Sequence, residues 1–167
     1  MHKTDVGGIK VGIENEQELK ENYDEILFHV KKYMPDANIS GILVQKMILD
    51  KKEIIIGMSE DPQFGPMIMF GLGGIYVEIL KDVSFRIAPI SRVMAQEMIR
   101  EIKTIKLLTG TRGEEPSDIE SVVDIMLKVS QLVTDFPEIM EMDINPLFVK
   151  KQGNGSVAGD ARIRIGG

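Results

Sequence analysis

The sequence predicts an α+β fold, and three observations carry that expectation. DVSFRIAPI (residues 82–90) alternates with period two, placing Val83, Phe85 and Ile87 on one face and Asp82, Ser84 and Arg86 on the other. Three stretches repeat apolar residues at helical spacing behind capping residues. Strands and helices are mixed without strict strand–helix–strand alternation, which favours α+β over a doubly wound parallel sheet.

In order along the chain, IKVGI (9–13) reads as a short strand entered through Gly7-Gly8. Asn15, three residues before Glu18, resembles a capping box, and Leu19, Tyr23, Ile26, Leu27, Val30, Tyr33 and Met34 continue a helix that Pro35 stops. ISGILVQKMI (39–48) reads as a strand, Lys51 and Lys52 as a turn, EIIIGM (53–58) as its partner and EDPQFGP as a loop. MIMFGLGG (67–74) is an apolar strand running into a glycine turn. One helix is expected from Ser91 to Gly110, using Met94, Met98, Ile99, Ile102 and Ile105. Another is expected from Ser117, with Glu120 behind it, to Pro137. EIMEMDINPLFV and GDARIRI close the chain as two strands joined by a Gly153-Asn154-Gly155 hairpin turn.

Composition narrows the chemistry. The 167 residues, 43% of them hydrophobic, suffice for one domain or two small lobes with a buried core. There is no cysteine, hence no disulfide, thiolate nucleophile or Cys-ligated metal, and two histidines leave little room for a His-rich site. A net charge of −6 without a basic block argues against nucleic acid as a partner. No apolar run approaches the ~20 residues of a membrane span and no signal peptide opens the chain, so a soluble, cytoplasmic protein is expected.

The closing hairpin carries the sharpest candidate site. Alternation places Glu141, Asp143 and Asn145 on one face of their strand, opposite Met140, Met142 and Ile144. Asp160, Arg162 and Arg164 share a face of the last strand, and folding back on the glycine turn brings Asn145 roughly opposite Asp160. Oxygen donors without nitrogen or sulfur suit Mg²⁺ or Mn²⁺. The alternative is a solvated polar face whose acids and arginines pair as surface ion bridges. The Asn-Pro step adds an irregularity, because proline has no amide to donate. His2, in HKTDVGG, could accept a phosphoryl group as a nucleophile, or be a frayed terminus. His29 lies within the first helix and reads as structural. Phe70 to Gly74 resemble a phosphate-binding turn but lack the spacing of a P-loop or dinucleotide fingerprint. Gln45 and Glu53 stand near the ends of a hairpin, where they could contact adenine and ribose or simply face solvent.

Together and in this order, HKTDVGGIKV, ILVQKMI, KEIIIGMSEDPQFGP, MFGLGGIYVEILKDVSFRIAPI, EMDINPLFV and GDARI resemble the ATP-grasp part of ADP-forming acyl-CoA (acetyl-CoA) synthetases. The β chain of succinyl-CoA synthetase is a more distant relative. The resemblance implies an ATP-grasp fold with a partial N-terminal lobe, residues 1–48, and a C-terminal lobe, residues 49–167. It implies Asn145 and Asp160 as Mg²⁺ ligands and Asp143 as an acid beside a phosphohistidine docking site. Gln45 and Glu53 match nucleotide-contacting positions, with adenine held by backbone near Lys46 to Ile48. Gly73 and Gly74 would supply donors to phosphates, and His2 would carry phosphate between a partner subunit's acyl-phosphate site and ADP. The implied activity converts acyl-CoA, ADP and phosphate to acid, ATP and CoA, with a CoA-binding subunit or domain as partner in a hetero-oligomer. Family units begin upstream with a lysine-bearing strand that this chain lacks, so the chain is expected to be N-terminally truncated and inactive alone. The alternatives are an inert ATP-grasp fragment or assembly module, or a succinyl-CoA synthetase β-type chain.

Overall fold

The computed structural model describes residues 7–49, 51–73, 81–110 and 113–166. The chain divides into two compact units, residues 1–49 and 50–167.

The first unit is built around α1 (Glu16–Tyr33). The expected cap is formed, in a shifted version of the capping box: the Asn15 side chain accepts from the Glu18 amide at 2.9 Å, while the Glu18 carboxylate accepts from the amide of Glu14, one residue before the cap, at 2.9 Å and from the Asn15 side-chain NH₂ at 2.8 Å. His29 lies in this helix, its ring stacked on Tyr33 and edge-on to Phe28. The strands expected at 9–13 and 39–48 are not formed among the described residues; both segments run as irregular chain. A strand exists only through its ladder, and alternation alone provides no neighbour to complete one.

The second unit is a six-stranded antiparallel sheet in the order β3-β2-β1-β4-β5, with β6 also paired to β4. Its strands are β1 (Lys52–Asp61), β2 (Gly65–Leu72), β3 (Val83–Ile87), β4 (Ile139–Val149), β5 (Ser156–Ala158) and β6 (Ala161–Ile165). Its principal helices are α2 (Arg92–Glu101) and α4 (Ile119–Asp135), with the short α3 (Lys106–Thr109) between them. The α+β expectation holds. β1 and β2 are longer than their apolar runs. Their turn narrows to Pro62-Gln63-Phe64, because the Asp61 carboxylate accepts from the Gln63 and Phe64 amides at 2.8 and 3.0 Å.

One face of the sheet is the core. Ile54, Ile56 and Met58 of β1, Ile68, Phe70 and Leu72 of β2, and Met142, Ile144, Leu147 and Val149 of β4 pack with Ala95, Met98 and Ile99 of α2 and Val122, Val123, Met126, Val129 and Val133 of α4. Each large side chain buried there contributes roughly 1.5–3 kcal/mol. The inward face of β3 is the polar one: Ser84 is buried and donates to the Met98 carbonyl at 2.9 Å. Phe85 and Ile87 lie on the other side and remain about half exposed.

Three expected boundaries are corrected. The helix expected from Ser91 to Gly110 is capped as foreseen, the Ser91 hydroxyl accepting from Met94, but it breaks at Ile102 into a 3₁₀ turn (Lys103–Ile105) and α3. The cause is Asp82, which accepts from the amides of Lys103 and Thr104 at 2.9 and 2.8 Å and so caps a new helical start. Burial pushes this carboxyl upward, but the Thr104 hydroxyl, those two amides and the Lys103 charge outweigh it and hold it below the usual range. α4 is capped by Asp118 rather than started by Ser117, which instead bridges to Lys151. The second arm of the closing hairpin is two strands, β5 and β6, separated by Gly159-Asp160. Near its start, β4 buries Ile139 rather than Met140, with a register shift against β6 between Ile139 and Glu141.

Candidate functional site

The sheet face opposite the helices carries the candidate site of the second unit. β4 and β5 pair as Leu147 with Ala158, and β4 and β6 as Ile144 with Ala161, a single unbroken register. Asn145 therefore stands opposite Asp160, its amide donating to the Asp160 carbonyl at 3.1 Å, and the Gly159 amide donates to Pro146 O at 2.8 Å. On the other side of β4, the pairing with β1 shifts between Ile54 and Ile56, so Asn145-Pro146 faces Ile55 as a bulge. Proline offers no amide and the Asn145 amide is engaged by Asp160, so neither residue donates to β1. The Asp160 carboxylate is exposed, with one oxygen accepting from the Ala161 amide at 2.9 Å.

The bulge changes which side chains face outward. Buried positions run Met142, Ile144, then Leu147, Val149, so Phe148 emerges on the open face with Asp143. Phe148 pairs with Glu53 across β1 and β4. The Lys51 ammonium lies 3.5 Å from the centroid of the Phe148 ring and 3.5 Å from the Glu53 carboxylate. A Cβ on Gly159 would lie 2.6 Å from the Phe148 ring, so only glycine lets the chain enter Asp160 over that ring. At the end of β2, Gly73 donates to Glu53 O at 2.8 Å, and a Cβ there would come within 3.2–3.3 Å of the Glu53 backbone. Glu53 and Gly73 thus meet, and the Phe148 ring stands between Glu53 and the Asn145–Asp160 pair.

Asp143 is half-buried and stands in register with Gly57 on one side and Arg162 on the other. Two residues along the same two strands, Glu141 of β4 and Arg164 of β6 form a 3.0 Å ion pair, so the surface-bridge reading describes that end of the face. Among the described residues no three carboxylate or imidazole side chains gather as a metal cage. Two oxygen side chains on opposed strands suit an ion such as Mg²⁺, which keeps most of its water or takes substrate phosphates. Gln45, Lys46 and Ile48 belong to the first unit, where Gln45 and Lys46 are exposed and Ile48 half-buried in irregular chain. His2 and Gly74 lie outside the described residues. Lys51, Phe148 and Gly159 escape a sequence reading. The available signal was parity: counting inward positions backward from Val149 instead of forward from Met140 exposes Phe148.

Residues 1–165 match the family model described as an ATP-grasp domain. The chain belongs to the ATP-grasp family. Within it, the chain is 53% identical over its whole length to the β subunit of acetate–CoA ligase (ADP-forming) II from Pyrococcus furiosus, covering 71% of that subunit. It is 54% identical over 99% of its length to acetate–CoA ligase (ADP-forming) I from Archaeoglobus fulgidus, spanning 24% of that longer protein. Among solved structures, a Pyrococcus horikoshii protein superposes with TM-score 0.85 at 53% identity, covering 98% of this chain and 69% of that one. An acetyl-coenzyme A synthetase from Ca. Korarchaeum cryptofilum, in complex with coenzyme A and Mg-AMPPCP, superposes with TM-score 0.83 at 44% identity, covering 99% and 71%. This ATP-grasp chain therefore spans 71% of that β subunit but only 24% of the longer Archaeoglobus protein. No helix among its described residues is long and apolar enough to cross a membrane.

Proposed function

We propose that this chain is the nucleotide-binding part of an ADP-forming acyl-CoA ligase, working with a CoA-binding subunit or domain. The reaction turns acyl-CoA, ADP and phosphate into acid, ATP and CoA. The carrying observation is the opposition of Asn145 and Asp160 on the open sheet face, beside Glu53 and Gly73. Asn145 and Asp160 hold Mg²⁺, which when bound neutralises charge on the nucleotide phosphates. Glu53, with Gln45, orients the nucleoside, backbone near Lys46 to Ile48 holds adenine, and Gly73 with Gly74 presents amides to phosphate. His2 carries the phosphoryl group: its N–P bond breaks as the β-phosphate oxygen of ADP forms the new P–O bond, splitting a hard transfer into two steps. Asp143 is the acid assigned in this reading to the phosphohistidine docking site. Residues 1–48 form the N-terminal lobe and 49–167 the C-terminal lobe. The β-subunit name of the Pyrococcus furiosus relative supports a partner subunit.

Incubation with γ-labelled ATP and Mg²⁺, with and without a CoA-binding subunit, tests this reading. Acid-labile label on the parent chain, absent from His2→Ala and from Asp160→Ala, is expected. No label under either condition, while an intact two-subunit enzyme labels, identifies an inert module instead.

A further inference from the structure

β6 buries none of its residues, and Ile163 and Ile165 are 51% and 63% exposed. β5 is three residues long and only partly covered. The turn that feeds them contains Gly153 and Gly155 at φ +81° and +72°. A strand pairing fixes its own register when one face is buried; an exposed strand after a glycine turn is only weakly specified. A slip of one residue would turn Asp160 to the other side of the sheet and away from Asn145. The core does not prevent that slip, so some other contact must.

Asp118 stands at that point, 9% exposed at the start of α4. One carboxylate oxygen accepts from the Ser121 amide at 3.1 Å, capping the helix. The other accepts from the Gly155 amide at 2.8 Å, reaching the hairpin turn itself. The Asp118 amide donates to Lys150 O at 2.9 Å, on the β4 side of the same turn. One turn into α4, the Ser121 and Ser156 hydroxyls meet at 2.6 Å. Both arms of the hairpin are thus tied to a helix whose own position is fixed by the core.

We propose that Asp118 is a positioning residue that locks the register of the β4–β5–β6 hairpin and thereby holds Asp160 opposite Asn145 for metal binding. The metal half of this inference rests on the proposed role of those two residues; the register half does not. Helix capping and register locking separate in one variant. Asp118→Ser keeps an acceptor for the Ser121 amide, since serine is a good N-cap, but has no second oxygen for Gly155. Its thermal midpoint should fall by only a few degrees, as the loss of one hydrogen bond does, and α4 should stay folded.

The test titrates Mn²⁺ into the full chain with ADP present, and reads amide exchange of Gly155 and Asn145 in metal-free protein. Asp118→Ser is expected to weaken Mn²⁺ binding about 10–100-fold, as loss of a group supporting a metal ligand does. Exchange at both amides should quicken by about tenfold or more, the scale of a lost charge-assisted hydrogen bond. Asp160→Ala is the companion. If it abolishes Mn²⁺ binding while Asp118→Ser leaves affinity and exchange within twofold of the parent, the lock is overturned. If neither the parent nor Asp160→Ala shows Mn²⁺ binding at this site, the metal reading fails, and exchange at Asn145 alone decides the register claim.

Discussion

At the scale of single residues, two buried aspartates do work that their sequence context conceals. Asp82 and Asp118 each satisfy backbone amides of a different element. The Asp82 carboxyl sits below its ordinary range, so its unfolded form binds a proton at a higher pH than its folded form. Its contribution to stability is then fully present above the unfolded value near 3.8 and drains away as pH falls through and below it. Asp82→Asn keeps one acceptor but turns an NH₂ group toward a donor. At pH 7 it should cost about 1–3 kcal/mol, the range for a buried hydrogen-bonding group left unmatched. Urea denaturation at pH 7 and pH 3 checks this, and the gap between the two proteins should narrow at pH 3. An equal gap at both values would mean that the charge of Asp82 contributes nothing.

At the scale of elements, what the sequence revealed and what it hid divide along a physical line. α1, the start of α2, the body of α4 and the long core strands were legible, because caps and periodicity are local properties written within a few residues of the element. The cap of α4 was not, since Asp118 also answers to Gly155 of the hairpin. The opposition of Asn145 and Asp160 was legible too, since it needs only a glycine turn and a count by twos. The break in the helix after Ile102 was not, because the group that causes it, Asp82, lies 21 and 22 residues from the amides it takes. Phe148 was hidden by the bulge at Asn145-Pro146, which inverts parity for everything after it. The same long-range logic joins α4 to the segment before α2: the Ser130 hydroxyl, 2% exposed, accepts from the Ile90 amide at 2.9 Å. Ser130→Ala removes the acceptor and strands a buried amide, which should cost about 1–3 kcal/mol. Chemical denaturation should show a lower midpoint with an unchanged slope. A midpoint equal to the parent's would show that the Ile90 amide has another acceptor.

At the scale of the whole molecule, every residue of the buried cluster falls between Ile54 and Val149, within the second unit. α1 buries none of its residues. Leu19, Ile26, Leu27 and Val30 on its apolar face are only half-buried. An 18-residue helix with so little burial is marginal in water, because nucleation is costly and propagation returns little per residue. Lys20 with Glu16 and Gln17 with Glu21 are such pairs on this helix, each contributing about 0.2–0.5 kcal/mol. Stability within one chain should therefore be graded. Local opening should be cheap in residues 16–33 and close to global unfolding in β1, β2 and the middle of β4. Hydrogen exchange followed by mass spectrometry on the full chain measures this directly. Peptides covering α1 should exchange orders of magnitude faster than peptides covering Ile54–Met58 and Ile68–Leu72. Adding ADP with Mg²⁺ should slow exchange near Glu53, Gly73 and Asn145 if the open face holds the nucleotide. Protection of α1 equal to that of β1 would contradict a core confined to the second unit. Nucleotide-dependent protection confined to the helical face, with none at Asn145 or Asp160, would move the nucleotide off the open sheet.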